Sequence, residues 1–219
     1  MRSVSKQGQS MKKIALALMA FGIVGSAHAG PYMPVGPQTN VALSTVTSGG
    51  WTQCYASDFG TAIGNSGEKV LNACQGDKLM MAGRIKGSDS FLVLAAADYA
   101  DTIVNTGTTS NTHLANGSRW YYASNWSWGF TSANDSVTLS SCDTSASSPT
   151  SMCLHTLAQV GGYRINNISG LNASRDYEKV FFVANAKQDG DVPEPASMLL
   201  LGAGAAALAA GRRRTLKRA

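Results

Sequence analysis

The sequence predicts a mostly β protein: a small disulfide-bearing β-sandwich or jelly-roll-like domain, flanked by an N-terminal signal helix and a C-terminal transmembrane helix. Three observations carry this expectation. Eight short runs rich in aromatic and aliphatic residues are each bounded by Gly, Asn, Asp or Ser, the pattern of strands joined by turns. Helical periodicity is weak, with only 57–72 suited to a short helix. Four cysteines (Cys54, Cys74, Cys142, Cys153) lie in a chain whose ends read as export signals, so disulfides are chemically accessible.

The elements follow in order. Lys12 and Lys13 precede an 11-residue apolar run, 14–24, too short as a helix for a hydrocarbon core of about 30 Å. Ala27-His28-Ala29 supplies the small residues of a cleavage site, so 1–29 is expected to be a signal peptide cut before Gly30. Residues 30–48, with Pro31, Pro34 and Pro37, are expected to be a flexible lead-in. The β domain is expected over 49–186, with strands at 51–56, 78–84, 91–97, 119–123, 127–131, 136–140, 152–156 and 179–184. Stretches such as 105–111 and 144–151 are Ser/Thr/Asn-rich loops. Four cysteines allow three pairings. Short loops cost less entropy to close, which favours Cys54–Cys74 and Cys142–Cys153. No Cys-x-x-Cys spacing supports a metal site, and no cofactor is expected.

Charge placement excludes one class of partner. The net charge is +5, but four basic residues precede Ile14 and five follow Gly211. Between them lie nine basic and all 13 acidic residues, a net of −4. The folded part therefore offers no cationic stripe for phosphates, and no nucleic-acid partner is expected.

After a polar linker at 187–191 comes Val192-Pro193-Glu194-Pro195, then an apolar run, 196–210, then Gly211-Arg212-Arg213-Arg214. Fifteen residues reach only about 22 Å as a helix, but the arginines that follow mark it as a transmembrane segment with those charges on the cytoplasmic side. In order, spacing and position, 192–219 resembles the PEP-CTERM sorting signal of Gram-negative bacteria. That resemblance implies an exosortase-type membrane processing enzyme acting near Pro193-Glu194-Pro195. It also implies transient anchoring through the C-terminal helix, then delivery to the cell surface or the extracellular matrix of exopolysaccharide-producing cells. Two prolines about one glutamate favour an extended backbone, the form that suits a protease-type cleft.

A second resemblance covers the middle of the chain. Gly50-Trp51-Thr52-Gln53-Cys54-Tyr55, Ala73-Cys74, Leu79-Met80-Met81-Ala82-Gly83-Arg84, Trp126-Ser127-Trp128-Gly129-Phe130 and Cys153-Leu154-His155-Thr156 are similar to a recurring secreted bacterial cysteine-containing domain. Where such domains often carry Trp before the second histidine, this chain has Leu154. The resemblance implies a shared fold and supplies no activity.

Candidate chemistry is concentrated in a few places. His113 and His155 could each serve as a base if paired with a carboxylate, yet no Gly-x-Ser-x-Gly motif accompanies them. Six aromatics fall within 120–130, and flat rings with polar tips suit polysaccharide stacking. Strand alternation puts Trp120 and Tyr122 on one face and Tyr121 on the other. Trp126, Trp128 and Phe130 share a face, opposite Ser127 and Gly129, which suit solvent. Trp120, Tyr121, Trp126 and Trp128 are thus the candidate binding residues, with Tyr121 expected to be the exposed ring. The expectation is a non-enzymatic, surface-exported domain that contacts exopolysaccharide or a partner protein. The alternative is a small secreted hydrolase using His113 or His155.

Overall fold

The computed structural model describes residues 32–138, 143–144 and 148–185. The expected signal peptide, the linker, the Pro-Glu-Pro tail with its arginines and the 196–210 segment lie outside the described residues. Among the described residues, no helix is long and apolar enough to cross a membrane.

The protein is mostly β, and its two larger sheets are antiparallel throughout. The first combines β2 (Thr52–Asp58), β13 (Tyr177–Ala184), β3 (Lys78–Ile85) and β5 (Val93–Asp98), in that spatial order. The second runs β12 (Gly162–Ile165), β11 (Met152–His155), β8 (Ser127–Ser132), β7 (Ser118–Tyr122) and β6 (His113–Ala115). Two short pairs complete the set: β1 (Val41–Ala42) with β4 (Ser90–Phe91), and β9 (Val137–Thr138) with β10 (Asp143–Thr144). Helices are brief: α1 (Leu43–Ser48), α2 (Glu68–Ala73) and α3 (Tyr99–Thr102). Of the stretch expected to be helical, 57–72, Ser57 and Asp58 end β2 and only the last part enters α2.

The main core lies between the two sheets. Leu79, Met81, Val93, Ala95 and Phe181 face Trp120, Trp128, Phe130, Met152, Leu154 and Ile165, all buried. Period-2 alternation explains the choice, since residues 79 and 81 point inward while 80 and 82 point outward. The outward set is also buried. Met80, Ala82, Leu94, Ala96, Val180 and Phe182 form a second cluster under Val46 and Trp51, with Tyr32, Met33, Val41 and Leu43 packed against it. The chain at 32–48 is therefore a packed layer, a correction to the flexible lead-in expected there. Backbone bonds from Gln38 to Leu94 (2.8 and 2.9 Å) and the Trp51 indole bond to Tyr32 O (2.5 Å) fasten it.

The outer face of the second sheet is covered as well. Tyr121, Val137 and Cys153 form a third buried cluster, against which Tyr163 packs. Cys54 and Cys74 are joined, with Cα atoms 5.1 Å apart, tying β2 to the end of α2. Cys153 is buried and disulfide-bonded. Cys142, its expected partner, lies outside the described residues.

Lys179, on the core side of β13, is fully buried. Its ammonium donates to three backbone carbonyls of the loop after β2: Asp58 O (2.7 Å), Phe59 O (2.9 Å) and Thr61 O (2.5 Å). Burial lowers its pKa to about 7, against an opposing pull from the Asp58 carboxylate.

Candidate functional site

The aromatic cluster separates into buried and exposed members. Trp120 and Trp128 are core residues, 1% and 0% exposed. Tyr121 is buried too, and its hydroxyl donates to Met152 O at 3.1 Å. This corrects the expectation that Tyr121 is the exposed ring. The reason is local: Tyr121 pairs with Gly129 across the β7–β8 ladder, and a Cβ at Gly129 would overlap the Tyr121 ring and Met152 O. Gly129 is small so that the ring can lie across it, a known way for an aromatic to compensate a strand glycine. Ser127 and Gly129 thus do not face solvent. Trp126 is also corrected: it precedes β8, does not share the core face of Trp128 and Phe130, and is 39% exposed.

Trp126 stands at the tip of the β7–β8 hairpin. Ala123 N–H donates to Ser127 O (2.9 Å), and Asn125 takes φ = 56°, a left-handed conformation that asparagine tolerates better than most residues. Thr156, fully buried on the neighbouring strand end, braces the turn from beneath. Its hydroxyl donates to Ala123 O (2.6 Å) and accepts from Trp126 N–H (2.8 Å), while its own N–H donates to Trp126 O (3.2 Å). Ser66 and Ser124 hydroxyls bond to each other alongside, and Ser66 N–H donates to Thr156 O at 3.0 Å. The indole is thus an exposed ring on a backbone fixed at both ends. Thr156 was not singled out from sequence, because its partners lie 30 and 33 residues away.

His155 adjoins this tip. It is half-buried, with its ring edge-on to Tyr163 at 6.0 Å between centroids. Burial lowers its pKa, partly opposed by bonding to the Trp126 backbone and the Asn172 side chain, so the imidazole is neutral at pH 7. His113 sits elsewhere, at the second sheet's edge, where its Nε2 meets Asp101 of α3 at 2.9 Å. The structure therefore brings Trp126 and His155 together and leaves His113, Trp120 and Trp128 apart from them.

Geometry and topology define a disulfide-stabilised, mostly β domain that presents one fixed aromatic tip and precedes a terminal sorting segment. The chain carries the PEP-CTERM protein-sorting motif, matched over residues 191–214. That motif implies export, exosortase processing and membrane-associated sorting to the cell surface. No curated protein and no solved structure matches the chain.

Proposed function

We propose that this chain is a non-enzymatic β-sandwich protein of the cell surface or extracellular matrix, holding polysaccharide through the Trp126 ring. On this reading residues 1–29 are removed on export, 196–210 anchor the chain transiently, and the exosortase acts at Pro193-Glu194-Pro195. The observation that carries the binding role is the exposed indole on a hairpin braced by Thr156. A flat ring carried on a braced backbone loses less entropy on stacking against the C–H face of a sugar than one on a mobile loop. The alternative, a small secreted hydrolase, would use His113, whose Nε2 meets the Asp101 carboxylate at 2.9 Å.

The test is retention of the exported protein on host cells that make exopolysaccharide. Trp126→Ala should cost on the order of 1–3 kcal/mol, since about three-fifths of the residue is covered, yet leave the domain folded, and should release the protein into the medium. Equal retention of wild type and a folded Trp126→Ala protein would reject the binding role.

A further inference from the structure

A second polar site lies on the outer face of the second sheet, away from the Trp126 tip. Arg119 of β7 is half-buried there. Its Nε–H donates to Ala133 O (2.7 Å) and its Nη1 to Thr112 Oγ1 (3.2 Å). Both acceptors are neutral, and among the described residues no carboxylate pairs with it. A guanidinium has five N–H donors, so three have no partner among the described residues. They border a depression of about 370 Å³ lined also by Ser110, Thr112, Asn134, Asp135 and Ser136. That volume falls within the range of small-molecule sites, roughly 300–1,000 Å³.

Asp135 supplies the opposite chemistry. Burial alone would raise its pKa, but hydroxyls of Ser148, Thr131 and Ser132 hold it below the usual carboxylate range, so it is ionised. Thr131 Oγ1 (2.9 Å) and Ser148 Oγ (2.6 Å) both donate to Oδ2. Three hydroxyl donors occupy three of its roughly four acceptor positions. One wall of the depression therefore donates, the other accepts, and Asn134 and the serines do both.

We propose that this depression is a saccharide subsite that takes one neutral hexose unit. Adjacent sugar hydroxyls each donate and accept, so the guanidinium fork can donate to two neighbouring oxygens while the carboxylate accepts from a third hydroxyl. An anionic ligand would meet the ionised Asp135 and a folded region that carries excess negative charge. A metal cation would meet Arg119. A neutral polyol meets neither penalty. The subsite shares its ligand class with the Trp126 reading and none of its residues, so each can fail alone.

The experiment is a side-chain NMR titration of the 15N-labelled full chain in detergent micelles. The probes are methyl glucoside, mannoside and galactoside, with methyl glucuronoside and sulfate as anionic arms. Arg119→Lys identifies the Arg119 Nε–H resonance by its loss. At least one neutral hexoside should shift the Arg119 Nε–H and Asn134 side-chain signals saturably, with half-saturation at about millimolar concentration. Asn134→Ala, an exposed position, should weaken that titration about threefold or more, the loss expected of one hydrogen bond, and Trp126→Ala should leave it unchanged. Shifts by the anions alone would overturn the neutral-sugar assignment. No shift with any hexoside up to about 50 mM, a concentration well beyond millimolar affinity, would overturn the site.

Discussion

Replacing Lys179 by Met tests how the fold accommodates a fully buried ammonium. Two effects oppose each other there. Burial disfavours the charge, whereas three carbonyls at 2.5–2.9 Å favour it. With a folded pKa of about 7 against about 10.4 unfolded, the unfolded chain binds the extra proton between those values. Stability therefore rises with pH across that window, at up to about 1.4 kcal/mol per pH unit. Below pH 7 the cost of burying the charge is fully present; above about 10.4 it is gone. Methionine keeps the apolar stem and removes the titration. Urea denaturation at pH 7 and pH 9 should show wild type gaining about 2–3 kcal/mol that Lys179→Met does not gain. The raised tyrosines, Tyr32, Tyr99 and Tyr122, are common to both proteins and cancel in the difference. Parallel pH profiles would refute the reasoning and show that the carbonyls hold the ammonium at its ordinary pKa.

Two further outcomes follow from the same structure and a third from the sorting motif. Gly129→Ala should cost about 1–3 kcal/mol through overpacking, and the cost should shrink in a Tyr121→Leu background because the ring no longer crosses the strand; an unchanged cost would place the strain elsewhere. Non-reducing peptide mapping should recover Cys54 linked to Cys74, and removing that bridge should lower stability by about 3 kcal/mol for a loop of 20 residues. Glu194→Ala should leave a longer, membrane-retained form on immunoblots of fractionated cells, whereas release equal to wild type would make the tail a plain anchor.

The strands were legible in sequence because turn residues bracket each apolar run: 78–84 and 179–184 differ from β3 and β13 only at the ends. The faces were less legible. Alternation identifies a core face when the other face meets water, but here the other face of each sheet is covered, by 32–51 on one and by residues around Val137 on the other. Gly129 therefore looked like a solvent position although it accommodates Tyr121. The Pro- and Thr-rich lead-in looked soluble because its five anchoring apolar residues are scattered between turns. β12 escaped notice because Gly161 and Gly162 suggest a turn; both are glycine because Gly60 and Phe59 press against them. At the candidate site, Trp126 and His155 were nameable individually. Their proximity depends on Thr156 joining two strands far apart in sequence.

Tryptophan quenching tests the central claim most directly. The chain has four tryptophans, of which Trp51, Trp120 and Trp128 are buried and Trp126 is 39% exposed. Acrylamide should readily quench one of the four, and saturating host exopolysaccharide should protect that one, with both effects lost in Trp126→Phe. Quenching of Trp126 that stays unchanged at saturating polysaccharide, in a folded protein, would contradict the account.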